Sequence, residues 1–290
     1  MTDRFAETDA RPRRPGPTVR TRVTEHGDGS GQRAREDRLA TEEPLEIRVT
    51  WPGSPPQRVW VTMRTPGHDF ELAAGFSCHE AIAAPSSAGP SIAGIAYCTD
   101  VDLTPEQEFN VVTVTLTGPA DIAHRHTGMS AGSSACGVCG KDSVTAVLDS
   151  ARSSVGTPRW SGQLPAPDVV RRLPDSLREG QTVFSRTGGV HAAGLFTADG
   201  ERLVVREDVG RHNAVDKVTG ARVLAGDSPA EACLVVSGRA GFELVQKAVA
   251  AGVGSLVAVG APSSLAVSLA REAGLVLYGF TSATRTVQYA

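Results

Sequence analysis

The segment from Ala232 to Phe280 most limits what this chain can fold into. Three short, almost wholly apolar runs, "ACLVVSG" (232–238), "SLVAVG" (255–260) and "LVLYGF" (275–280), alternate with two stretches that read as helices, 240–251 and 263–273. A strand that is apolar at every position must be buried on both faces, as in a parallel sheet covered by helices on either side. The expectation is a three-layer α/β domain. Upstream, "GGVHAAGLFTADGERLVVRED" (188–208) reads as a hairpin turning at Asp199-Gly200. "RHNAVDKVTGARVLAG" (211–226) follows as a helix with Ala214, Val215, Val218, Ala221 and Ala225 at one-face spacing, and Gly220 weakens it. "PDVVRRLPDSLREGQTVF" (167–184) reads as helical with a proline break.

The first half is a smaller α+β unit. "EIRVTW" (46–51), "RVWVTMRT" (58–65) and "FNVVTVTLTG" (109–118) are β-branched runs between Pro and Gly punctuation, and "HDFELAAGFSCHEAIAA" (68–84) reads as a helix capped by Asp69. Residues 1–35 are rich in Arg, Asp, Glu, Gly and Pro and poor in large apolar side chains, which predicts a disordered head. The expected organisation is therefore a head (1–35), an N-terminal α+β domain (36–123), a connecting loop (124–145) and an α/β domain (146–290). A formal charge of −3 supplies no basic field for nucleic acid or a membrane surface, and no run approaches the roughly 18 apolar residues of a membrane span. The expected compartment is the cytosol.

Two of the five cysteines stand three apart in "SACGVCGK" (134–141). Gly137 and Gly140 disfavour a settled helix or strand, so Cys136 and Cys139 are expected on an accessible, mobile loop. Lys141 and a helix start within 141–151 would favour the thiolate, the reactive form of cysteine. A zinc site completed by His124 and His126, or a thioredoxin-like redox pair, remains an alternative reading of the pair. Cys78, Cys98 and Cys233 read as structural.

The succession of hairpin, helix and strand from 188 to 238 is similar to that of the zinc deaminases of bases, where the helix carries His-x-Glu and the next strand ends in Pro-Cys-x-x-Cys. Here the helix reads His212-Asn213-Ala214 and the strand ends in Ser237-Gly238-Arg239. Two thiolate ligands and the acid/base carboxylate are therefore missing. In their place stand groups suited to an anion: Arg211, His212, Asn213, Asp216 and Lys217 near a helix start, Arg239 between strand and helix, and Ser263-Ser264 opening another helix. Free N–H groups at helix starts beyond the carboxyl ends of strands suit phosphate, so a phosphorylated ligand such as a nucleotide is expected. The competing reading makes Arg211 and Asp216 ordinary surface pairs. His191, alone in an apolar hairpin, reads as an interior group.

With "MRTPGHDFELAAGF", "SSACGVCGK", "TGGVHAAGLF", "REDVGRHNAVDKVTG", "VSGRAGFELVQKA" and "GAPSSLAVSLAREAGLVLYGF" in this order, the chain resembles the FdhD/NarQ formate dehydrogenase accessory proteins from about Leu39 to Phe280. Cys78-His79 departs from the apolar or acidic residues usual in relatives. The resemblance implies a cytosolic, homodimeric sulfur carrier with a cytidine deaminase-like domain. Such a carrier takes persulfide sulfur from a cysteine desulfurase and passes it to the molybdenum or tungsten bis(molybdopterin guanine dinucleotide) cofactor of formate dehydrogenase. By position, Cys136 would bear the persulfide and Cys139 would assist. Phe280, Thr281, Ser282, Ala283, Thr284 and Arg285 would meet the pterin dinucleotide, with Arg211, His212, Lys217 and Arg239 at its phosphates. No resident metal is implied. The other reading is a chaperone that holds the guanine dinucleotide and whose cysteine pair is structural, zinc-bound or redox-active.

Overall fold

The computed structural model describes residues 14–27, 31–83, 89–98, 104, 108–122 and 159–290. Strands β7 (His191–Phe196), β8 (Arg202–Asp208), β9 (Cys233–Val236), β10 (Ser255–Ala258), β11 (Val276–Ser282) and β12 (Arg285–Gln288) form a six-stranded sheet in the order β12-β11-β10-β9-β7-β8. Strands β9, β10 and β11 run parallel, as their unbroken apolar runs require, and every residue of β9 and β10 is buried. Helix α2 (Pro167–Glu179) covers one face through Val170, Leu173 and Leu177, packed with Phe196, Val235 and Val257. Helices α4 (Arg211–Ala225), α5 (Phe242–Ala251) and α6 (Ser264–Ala273) cover the other through Val215, Val218, Leu244, Val245 and Leu269. Each such side chain contributes about 1.5–3 kcal/mol when fully buried. Three layers result, as the alternation predicts. Helix α2 continues through Pro174 instead of breaking there, and the chain leaves the helix at Gly180 before the single turn α3 (Phe184–Thr187).

The smaller unit is a four-stranded sheet of β3 (Glu43–Thr50), β4 (Gln57–Arg64), β5 (Ile92–Tyr97) and β6 (Val111–Leu116) in the order β4-β3-β6-β5. Alternation in β3 buries Leu45, Ile47 and Val49 under α1 (Asp69–His79), which adds Leu72, Ala73 and Phe76 to that core. Asp69 is the first residue of α1, not its cap: His68 precedes it with φ +58 and makes no side-chain cap bond. The carboxylate of Asp69 instead accepts two bonds from the wholly buried Arg64, at 3.1 Å each.

Residues 18–35 do not form the disordered head that composition predicts. Thr18–Gly27 (β1) and Gly31–Ala40 (β2) pair antiparallel along their whole length. Cross-strand and neighbouring charges replace an apolar face: Arg20 bonds Glu36 at 3.1 Å, and Arg35 pairs with Glu25 and Asp37. Composition measures apolar burial, and this ribbon uses ladder bonds and ion pairs instead.

The two larger units are joined where α1 crosses α4. A Cβ on Gly75 would lie 1.9 Å from the Asp216 carbonyl oxygen, and one on Gly220 would lie 1.8 Å from that of Glu71. Gly220, a weakness in an isolated helix, is thus what lets a second helix pass at backbone contact. For this reason α4 is buried continuously from His212 to Gly220, while Ala225 is exposed and Ala221 half-buried, so its predicted apolar face ends a turn early.

Candidate functional site

The carboxyl ends of the three parallel strands form a continuous crest. The Gly260 N–H donates to the Gly238 carbonyl (2.9 Å), Phe280 N–H to the Gly260 carbonyl (3.1 Å) and Ser263 N–H to the Ala240 carbonyl (3.1 Å). Loops 237–241, 259–263 and 280–285 are thereby stitched side by side. Arg239 is exposed on the first, and its side chain packs on Gly260, where a Cβ would stand 2.9 Å from Arg239 Cγ. Because β7 is antiparallel to β9, its first residue, His191, comes to the same edge, with the ring against Gly238. The start of α4 adds Arg211 beside it. Ser263 caps α6 by accepting from the Ala266 N–H, as the sequence predicts.

The 280–285 segment completes this mouth. Phe280 is a non-glycine residue at φ +50, with 44 % of its surface exposed, at an irregularity in the β11–β12 pairing between Gly279 and Ser282. Such a conformation costs on the order of 1–3 kcal/mol and persists where the surroundings enforce it. The Arg285 guanidinium lies 5.3 Å from the Phe280 ring centre. Ser282, Ala283 and Thr284 are exposed at the turn, whereas Thr281 is buried and its hydroxyl bonds that of Thr286 at 3.0 Å.

Two residues expected at phosphate are committed elsewhere. Lys217 is 1 % exposed: its ammonium pairs with Asp208 at 2.7 Å and donates to the Thr65 carbonyl at 2.8 Å. Asn213, one helical turn before it, donates to the same carboxylate at 3.0 Å and to the Met63 carbonyl at 2.8 Å. The Thr65 and Gly210 N–H groups complete the shell of Asp208 at 3.1 and 2.8 Å. The expectation for Lys217 is therefore replaced by an interior ion pair within the α/β unit, both of whose members also bond the backbone of Thr65 from the smaller unit. His212 is 8 % exposed and its Nε2 stands 2.8 Å from a Glu243 carboxylate oxygen, tying α4 to α5. Asp216, expected as a surface or site group, is wholly buried between His79 Nδ1 (2.6 Å) and the Lys247 ammonium (2.7 Å). Burial alone would raise its pKa, but Lys247 and His79 outweigh that and hold it below the usual carboxylate range. Burial pushes the His79 imidazole down. With Thr219 3.0 Å from His79 Nε2, this hydroxyl–imidazole–carboxylate line has the order of a nucleophilic triad, yet it lies in the interior with no access for a substrate.

Of the expected site residues, Arg211, Arg239 and 280–285 are thus brought to one edge, His212 and Lys217 are turned into the interior, and Cys136, Cys139, Lys141, His124 and His126 lie outside the described residues. Cys78 and Cys233 have thiols pushed up to about 12 by burial, Cys78 also by Asp216, which fits structural roles. His191 reads from the sequence as an interior group, whereas the structure leaves it half-buried at this edge. Its position at the start of an edge-facing strand, opposite Asp208 in the register, is the signal that a hairpin reading could have used.

Fold and site together define a two-unit α/β protein whose arginines and one exposed aromatic ring gather at the carboxyl edge of parallel strands, beside a buried ionic seam. Residues 40–290 match the model of the FdhD/NarQ family, and the chain belongs to that family. It is 49% identical over 253 residues to the sulfur carrier protein FdhD of Nocardia farcinica, covering 87% of this chain and 85% of that one. It is 46% identical over 279 residues to the protein of the same name in Streptomyces coelicolor, covering 94% of each. A crystal structure described as a formate dehydrogenase accessory protein of Desulfotalea psychrophila superposes with a TM-score of 0.69 at 21% identity, over 94% of this chain and 97% of that one, a likeness of fold. No helix among the described residues is long and apolar enough to cross a membrane.

Proposed function

We propose that this protein is a cytoplasmic sulfur carrier required for formate dehydrogenase activity. It accepts persulfide sulfur from a cysteine desulfurase and transfers it to the bis(molybdopterin guanine dinucleotide) cofactor, in its molybdenum or tungsten form. The observation that carries this reading is the family match, which spans Cys136 and Cys139 and includes relatives named sulfur carrier proteins at close to half identity. The chemistry balances with the residues at hand. The Cys136 thiolate attacks the outer sulfur of the desulfurase persulfide, forming Cys136–S–SH and releasing the donor cysteine as thiolate. Attack of the Cys139 thiolate on the inner sulfur then expels hydrosulfide toward the acceptor and leaves a Cys136–Cys139 disulfide, which a dithiol reductant reopens. Lys141 favours the thiolate forms.

The mouth fits a phosphorylated pterin nucleotide. Arg211 and Arg239 supply charge for a diphosphate, and the Phe280 ring and the turn at 282–285 offer a stacking face and hydroxyls. The α/β unit reads as deaminase-like, since the hairpin β7–β8 precedes α4 and β9 at the sheet edge, with buried Ala214 where a deaminase would need its carboxylate. We place the carrier loop at 124–145, between domains 36–123 and 146–290, and expect a homodimer. Incubation with cysteine and a desulfurase should add one sulfur, located on Cys136 by non-reducing mass spectrometry. Cys136→Ala should abolish formate dehydrogenase maturation while leaving binding of guanosine diphosphate intact; full maturation by that variant would overturn the reading.

A further inference from the structure

We propose that His191 is a ligand-contacting group of the mouth, its imidazole binding an anionic oxygen of the diphosphate that Arg211 and Arg239 flank. The inference rests on the reading of the mouth as a nucleotide site and goes beyond it in assigning a residue and a proton.

His191 is half-buried at the very edge of the sheet. Its backbone is held by the β7–β8 and β7–β9 ladders, and the neighbouring Ala192 N–H donates to Ser237 Oγ at 2.9 Å, so the ring has a fixed origin. The ring lies against Gly238, where a Cβ would stand 3.5 Å from Nδ1. Among the described residues neither ring nitrogen has a hydrogen-bond or ion-pair partner. This contrasts with His79 and His212, both of which are engaged. An interior histidine normally finds a partner, because an unpaired buried donor or acceptor costs about 1–3 kcal/mol. An unpaired ring at an open edge is placed for something that arrives from outside.

The charges around it say what that is. Burial, then Arg211 and His212 of α4, push its pKa below the ordinary value, and only Asp208 of β8 opposes them. Asp208 is itself engaged by Lys217. The free imidazole is therefore neutral near pH 7, in a cationic setting that a phosphate dianion would reverse. Binding should raise the His191 pKa, so that the ligand takes up a proton with it. Affinity then strengthens as pH falls from the bound-state pKa toward the free-state pKa and is level outside that window.

Titration calorimetry of the full chain with guanosine diphosphate, in buffers of different ionisation enthalpy at pH 6.5, should report uptake of about half a proton, and affinity should fall about fivefold from pH 6 to pH 8. The terminal phosphate titrates near pH 6 by itself, so the decisive quantity is the difference between the native chain and His191→Gln. The variant should lose most of the uptake and flatten the pH profile. Equal proton uptake by the variant, or equal uptake on binding guanosine, which has no phosphate, would overturn the assignment while leaving the nucleotide site intact. Should the variant not fold, the His191 ring resonances of the native chain decide the matter, since their midpoint must move to higher pH on adding the nucleotide. No binding of guanosine diphosphate by the native chain would overturn both the assignment and the reading beneath it.

Discussion

The buried seam and the open mouth draw on the same stretch, "REDVGRHNAVDK" (206–217), and use it in opposite ways. In the seam, each charge is matched inside the protein: Asp208 by Lys217, Asp216 by Lys247 and His79, and the Glu71 carboxylate by Arg206 at 2.7 Å. At the mouth, Arg211, Arg239, His191 and Arg285 gather positive or protonatable groups around an exposed ring. A buried ion pair is costly to break and adds little net stability over an apolar pair. The pairs that cross from one unit to the other here are His79–Asp216 and Glu71–Arg206. A cationic edge contributes little to stability and receives anions well. The contrast teaches that motif residues clustered in sequence divide by the face of the helix on which they fall.

The comparison can be broken most severely at the seam. Lys217→Met leaves the Asp208 carboxylate buried beside three neutral donors and no cation; denaturant unfolding should show a loss of about 3–5 kcal/mol. Gly220→Ala places a methyl group where the Glu71 carbonyl now stands, and forcing α1 away from α4 should cost about 3 kcal/mol, seen as a lower Tm. At the mouth the pattern inverts. Arg239→Ala should weaken guanosine diphosphate binding about tenfold, the worth of one charge-assisted hydrogen bond. Its unfolding free energy should stay within about 0.5 kcal/mol of the native chain, as for other surface substitutions. A large stability loss in Arg239→Ala, or none in Lys217→Met, would dissolve the distinction.

The smallest expected effect is one of pH. Burial would raise the Glu71 carboxyl, but Arg206 and His68 outweigh it and hold the pKa at about 2, below the ordinary 4.5. A depressed carboxylate stabilises the fold above its unfolded pKa, and that contribution fades as pH falls from about 4.5 to about 2. Because Glu71 is only partly shielded from solvent, the change is modest. Glu71→Gln should shallow the decline in stability over that window, measured by unfolding at successive pH values.

Much of the fold was legible. Unbroken apolar runs identified the buried parallel strands, and Asp199-Gly200 marked a hairpin turn where Gly200 indeed takes φ +86. The ribbon 18–40 was not legible, because its strands carry arginines and acids in place of an apolar face. Strand β5 was missed because "IAGIAY" is short and holds a glycine, and β12 because "RTVQ" has hardly any pattern at all. For the site, residues four apart on a helix share a face, and the structure keeps this for 213 with 217 and for 212 with 216: Asn213 and Lys217 meet Asp208, while His212 and Asp216 both turn toward α5.

By itself the sequence determined which residues form strands buried on two faces, where the hairpin turns, and that a cationic, glycine-punctuated crest follows the strands. Those are local properties, set by side-chain period and by backbone freedom. Only the tertiary structure decided which charges face inward. Besides Asp208, which stands a few positions upstream on β8, the residues that claim Lys217, Asp216 and Asn213 lie some 140 to 150 positions earlier in the chain, on β4, α1 and the link between them, or on a different helix. Spacing reports the face of a helix but not what packs upon it, and a charge becomes a strut or a ligand contact according to whether that face is covered.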